Sequence, residues 1–195
     1  MKKVLLKYYC QRNFGDDLFV KIFAEQLSDC KIYIFGNPKY LPKGLGRNVR
    51  ISPWSWLRTL AAKAQASGNN RMISTVLSGV YNFTARSAGV WSDAIVEIGG
   101  SIFMEKPTTE GHREIDFSVS KEIPRVFSHY TDSRSDSKKF IIGANLGPVY
   151  SEDYFDRMEH VFAEYAHVCL RDYASKKQYQ FDRYVGYAPD VGFLY

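Results

Sequence analysis

Four short stretches of the chain combine residue types that bind and move charged groups: Asn13-Phe-Gly-Asp16, Gly99-Gly-Ser101, Asn145-Leu-Gly-Pro148 and Arg171-Asp-Tyr-Ala-Ser175. Gly99 and Gly100 lack the side chains that would keep a phosphate or a sugar away from the main chain. Taken alone, this pair also reads as a tight turn without a ligand. Arg171 offers a planar fork that matches a carboxylate or a phosphate. Asp16 and Asp17 can cap a following helix by accepting its free N–H groups and complementing its dipole. Each stretch follows an apolar run with the character of a buried strand. In an open parallel sheet such strand ends lie along one edge, where these folds bind ligands and where helix N-termini favour anions. One site at that edge accounts for all four.

The elements that must position these residues follow from hydrophobic periodicity. Residues 3–9 read as a first strand, followed by a turn over 11–17. Leu18, Phe19, Ile22, Phe23 and Leu27 then recur at three- and four-residue intervals and predict a helix lying on a sheet. Residues 31–35 and 48–52 are two further strands. Trp54, Trp56, Leu57, Leu60, Ala61 and Ala64 share one side of a helix whose other side carries Arg58 and Lys63, a pattern of interfacial helices and of ordinary sheet-packed ones. Met72, Ile73, Val76, Leu77 and Val80 continue as another helix into the apolar run 94–98. Residues 105–114 form a polar loop with His112, residues 115–130 look helical, and 132–139 is a solvated linker. A strand over 140–145, a helix over 152–165, a strand over 167–170, a helix and a last strand within 183–190 complete the chain. Strand and helix alternate throughout with short connections, which predicts one doubly wound α/β domain over residues 1–195.

Composition sets wide bounds on function. The chain has 195 residues, 45% hydrophobic and 24% charged, with a net charge of +5, enough to build a core and to favour anionic partners. Both signs are interspersed and no nucleic-acid motif occurs, so nucleic acid is not an expected partner. Cys10, Cys30 and Cys169 are far apart and odd in number, which excludes a disulfide framework or a metal-ligand spacing and predicts reduced thiols in the cytosol. No run approaches the roughly 18 apolar residues of a membrane span.

The same residues carry a family resemblance. Asn-x-Gly-Asp after the first strand, the apolar run into Gly-Gly-Ser, Gly-Ala-Asn-Leu-Gly-Pro, Leu-Arg-Asp-Tyr-Ala-Ser and the terminal Ala-Pro-Asp-Val-Gly-Phe occur in an order that resembles the polysaccharide pyruvyl transferase family. Ser101 stands where a third glycine is common. The resemblance implies a Rossmann-like, mostly parallel sheet similar to the N-terminal half of a GT-B fold. It further implies that a second domain would follow Tyr195, and that residues 1–195 by themselves do not turn over.

The resemblance also implies a reaction: phosphoenolpyruvate donates pyruvate to two hydroxyls of a sugar or lipid-linked oligosaccharide, as a cyclic ketal, without metal or cofactor. On this reading Arg171 binds a donor anion or else pairs with a structural carboxylate. Asp16 and Asp17 act as base, bind sugar hydroxyls or simply cap, and His112 is a proton carrier or an idle loop residue. Asn13, Gly15, Gly99, Gly100 and Ser101 line the acceptor cleft, with Asn145 and Ser175 at the neighbouring strand ends. A cytoplasmic enzyme is expected, with the helix carrying Trp54 and Trp56 resting on the anionic inner membrane face if the acceptor is lipid-linked. The alternatives are a GT-B-type glycosyltransferase half using a nucleotide-sugar donor, and a non-catalytic sugar- or nucleotide-binding module.

Overall fold

The computed structural model describes residues 1–8, 14–35, 38–53, 55–66, 71–98, 103, 138–147, 149, 152–179 and 185–189. In chain order its elements are β1 (Lys3–Lys7), α1 (Phe14–Gln26), β2 (Lys31–Ile34), a 3-10 turn at Pro38–Tyr40, β3 (Val49–Ile51), α2 (Ser55–Ala66), α3 (Arg71–Trp91), β4 (Ala94–Ile98), β5 (Lys138–Ala144), α4 (Glu152–Ala163), β6 (His167–Leu170), α5 (Tyr173–Tyr179) and β7 (Val185–Tyr187). The strands form one seven-stranded sheet in the order β3-β2-β1-β4-β5-β6-β7. The pairings of β1 with β2, β2 with β3, β5 with β6 and β6 with β7 are parallel. This is the expected α/β fold of Rossmann type, with the strand order reversing between β1 and β4.

The chain divides into two compact units, the first running to Val96 of β4 and the second holding the end of β4 and all later elements described. In the first unit, Leu5 of β1, Ile95 of β4 and Phe35 pack with Leu57 of α2 and with Tyr81, Ala85 and Ala88 of α3. Val4 and Leu6, pointing to the other face by strand alternation, are equally buried. Helix α1 buries Phe19, Val20, Ile22 and Ala24. Its end is held by Asn48, whose amide donates to the carbonyls of Ala24 at 2.9 Å and Leu27 at 3.0 Å. Asp93 fastens the start of β4 to β1, accepting from the Lys3 N–H at 2.7 Å while its own N–H donates to the Lys3 carbonyl.

In the second unit, Ile141 and Ala144 of β5, Val168 and Leu170 of β6 and Val185 of β7 pack against Tyr154, Met158 and Phe162 of α4, with Tyr165 just beyond it. The helix spacing read from the sequence over 152–165 is thus the buried face. Phe103 stands edge-on to Phe162 and bridges Leu146 in parallel.

Three sequence expectations need correction. Helix α1 starts at Phe14, so Asp16 and Asp17 lie within its first turn rather than ahead of it, where they face the helix dipole. Strand β5 starts at Lys138, inside the segment read as linker, because the Lys139 carbonyl accepts from the Ala166 N–H at 2.9 Å and so carries the ladder ahead of the apolar run. On α2 the wheel splits: Ser55, Leu57 and Ala61 are buried, whereas Trp56 and Leu60 are exposed, because the helix turns Leu57 onto Tyr81, Ala85 and Ala88 of α3.

Candidate functional site

At the carboxyl end of β5 the backbone departs from a regular strand. Gly143 has φ +70° and the pairing with β6 slips between Ile142 and Ala144, a bulge for which a left-handed glycine is suited. The slip brings residue 145 level with residue 171 on the neighbouring strand. The Arg171 N–H donates to the Ala144 carbonyl at 3.0 Å, and its side-chain Nε donates to Asn145 Oδ1 at 2.5 Å. Two residues singled out 26 positions apart in sequence are therefore joined, and the guanidinium is oriented by an amide that carries no charge of its own. Such an oriented, half-buried guanidinium suits an anion.

Around this pair the next turns add polar and aromatic groups. Gly147, at φ +101°, donates its N–H to the Phe103 carbonyl at 2.7 Å and so fixes the segment after Asn145. Asp172 is half-buried, and α5 begins at once with Tyr173. Tyr173 and Tyr187, the last residue of β7, meet edge to face at 5.6 Å, and both are exposed. Exposed aromatic rings beside an oriented cation offer apolar faces to a sugar ring and hydroxyls to its oxygens. Cys169, one strand position before Leu170, has its thiol pushed up chiefly by burial, so it is a poor nucleophile at neutral pH.

In the first unit, Gly15, Asp16 and Asp17 share the first turn of α1. Asp17 is half-buried, and its Oδ1 is shielded from solvent with no hydrogen-bond partner among the described residues. Burial holds its carboxyl above the usual range. A carboxylate desolvated in this way accepts a proton more readily than an exposed one.

Asn13, Gly99, Gly100, Ser101 and His112 lie outside the described residues, as does the loop over 105–114. Ser175 falls on α5, with its side chain likewise outside the description. Among the described residues no cluster of three or more His, Cys, Asp or Glu is placed to hold a metal. Sequence reasoning missed Glu97, a buried acid on β4 two residues before Gly99, whose charge adds to burial in pushing the Tyr165 hydroxyl far up. Its signal was a lone acid inside an apolar run. It also missed Tyr187, which becomes notable only through the ring of Tyr173.

A family model described as polysaccharide pyruvyl transferase matches residues 13–195. Searches of curated proteins and of solved structures return no match.

Proposed function

Because the chain belongs to the polysaccharide pyruvyl transferase family, we propose that it takes part in transferring pyruvate from phosphoenolpyruvate to two hydroxyls of a sugar. The observation that carries this reading is the Arg171 guanidinium, held by Asn145 at the ends of β6 and β5 inside the family-matched region.

The reaction asks for three things. One sugar hydroxyl adds to C2 of the enol while a proton arrives at the methylene carbon, which becomes methyl. A second hydroxyl then displaces the phosphate from the same carbon, closing the ketal, and its proton leaves with the phosphate. Carboxylate and phosphate need cationic partners, the hydroxyls need a base, and the methylene needs an acid. Arg171 is suited to the donor's carboxylate or phosphate, with Tyr173 and Tyr187 beside it as a surface for a sugar ring. Asp17, desolvated and without a hydrogen bond at Oδ1 among the described residues, is suited to accept a hydroxyl proton. Gly99, Gly100, Ser101, Asn13 and Gly15 remain the proposed acceptor lining, and His112 a proposed proton carrier. The acceptor is a polysaccharide or a lipid-linked precursor at the cytoplasmic membrane face, where peripheral contact with anionic lipid would bring enzyme and acceptor together.

The test is acceptor-dependent release of phosphate from phosphoenolpyruvate by the natural protein, with the ketal methyl followed by proton NMR. Consumption of a nucleotide-sugar in place of phosphoenolpyruvate would assign it to glycosyl transfer. Binding of either donor without any product would make it a binding module.

A further inference from the structure

Helix α3 is apolar on two sides, and among the described residues only one of them is buried. Its 21 residues bury Ser74, Tyr81, Ala85 and Ala88 toward the first unit. On a helical wheel, Met72, Ile73, Val76, Val80, Phe83 and Val90 fall within about 100° of arc on the opposite side. All six are exposed, Met72 at 81%, Phe83 at 71% and Val76 at 57%. No charged residue falls inside this arc. From Met72 to Val90 it makes a ridge about 27 Å long at the rise of an α-helix, more continuous apolar surface than scattered exposure produces.

The charge of the chain segment that carries this ridge decides what it fits. Between Cys30 and Ser92 the sequence holds nine Lys and Arg and not one Asp or Glu, although the whole chain has 21 acids. The signs are thus not interspersed along the chain, contrary to the first reading of its composition. Arg86 lies about 40° round the helix from the edge of the ridge, and Arg71 opens the helix one residue before Met72. A second copy of the chain would bring another acid-free, basic segment against the first, and like charges disfavour that. An anionic bilayer supplies what both features lack, phosphates for the basic flank and an acyl boundary for the ridge.

The geometry points to α3 as a membrane-docking ridge that lies on an anionic lipid surface with Met72, Val76, Val80 and Phe83 entering the acyl boundary. No helix among the described residues is long and apolar enough to cross a bilayer, so the contact is interfacial. This deepens the peripheral contact proposed above and assigns it to α3, whereas α2 contributes outward only Trp56 and Leu60 among its large apolar side chains. Transfer to a soluble acceptor does not depend on it, so the two readings fail separately.

Flotation of the protein with phosphatidylglycerol–phosphatidylethanolamine vesicles, against pure phosphatidylcholine vesicles, tests the assignment. Binding to the anionic vesicles is expected, weakening as salt is raised. Val76→Glu with Phe83→Glu, both at exposed positions, should lower binding by at least about tenfold. Arg71→Glu with Arg86→Glu should do the same, each pair retaining the wild-type far-ultraviolet spectrum and Tm. As a second readout, Phe83→Trp should shift its fluorescence to the blue on anionic vesicles only. Absence of flotation, equal binding to both lipids, or full binding by the glutamate variants would overturn the inference. So would concentration-dependent self-association that the Val76→Glu, Phe83→Glu pair abolishes while lipid binding persists.

Discussion

Asn48 joins the turn before β3 to the end of α1, and removing its amide should be felt across the first unit. Its Nδ2 donates to the Ala24 carbonyl at 2.9 Å and to the Leu27 carbonyl at 3.0 Å. Leu27 keeps a second donor in the Cys30 N–H, so Asn48→Ala strands chiefly the Ala24 carbonyl, at a helix end where such groups run out of partners. One lost bond and one weakened one amount to about 1–2 kcal/mol, or about 3–5 °C in Tm for a chain of this size. Gly46 supplies an independent handle on the same bonds. A Cβ added there would stand 2.5 Å from Asn48 Oδ1, so Gly46→Ala must displace the amide and lose the same two hydrogen bonds. Once Asn48 is alanine the obstruction is gone, and Gly46→Ala should then be neutral or slightly stabilising through the unfolded chain. Urea unfolding of the wild type, both single variants and the double variant gives the coupling. The double variant should be no less stable than Asn48→Ala. Additive losses, or a Gly46→Ala variant as stable as the wild type, would refute the argument.

At the site, Arg171→Lys keeps the charge but gives up the planar fork and the Nε bond to Asn145. Donor affinity, measured by titration with phosphoenolpyruvate, should fall by about 10- to 100-fold, with Asn145→Ala giving a smaller loss of the same kind. Asp17 has its carboxyl raised by burial, so the folded state holds that proton more tightly than the unfolded chain. Its contribution therefore turns unfavourable as pH rises through the carboxylate range. Asp17→Asn should gain stability relative to the wild type between pH 3 and pH 7, measured by urea unfolding, while transfer activity falls. Gly143→Ala forces a side chain into the left-handed region and should cost about 1–2 kcal/mol in Tm-derived stability, with a loss of donor affinity because the bulge sets Asn145. Cys30 and Cys169, both raised chiefly by burial, should react with iodoacetamide more slowly than glutathione at pH 8.

The alternation of strand and helix was legible because each buried element repeats its apolar residues at its own period, as in α4, where Met158 and Phe162 are both spaced and buried. Helix α3 defeated the same reasoning. Met72, Ile73, Val76 and Val80 have core-like spacing, yet the fold buries the weaker stripe of Ser74, Tyr81, Ala85 and Ala88, whose mostly small side chains allow close packing. Apolar periodicity says that a face seeks cover, not what covers it. The Arg171–Asn145 bond was legible only as two suspicious residues, because their meeting depends on a register slip that no local propensity encodes. Asp17 was readable as a helix-start acid, while its desolvation comes from tertiary packing.

The slip at Gly143 divides β5 into two segments with different phase. Before it, the side chains alternate in step with β6; after it, the count has advanced by one, and what would have been an inward position becomes an outward one. The core half and the mouth half of the strand are thereby decoupled, and substitutions can change one without changing the orientation of the other. Deleting one residue at this point would do more than shorten a turn. It would remove the bulge and leave the facing of Asn145 as it is, whereas the same length of chain paired regularly with β6 would turn Asn145 to the opposite face, so the bulge is itself a determinant of what the strand presents.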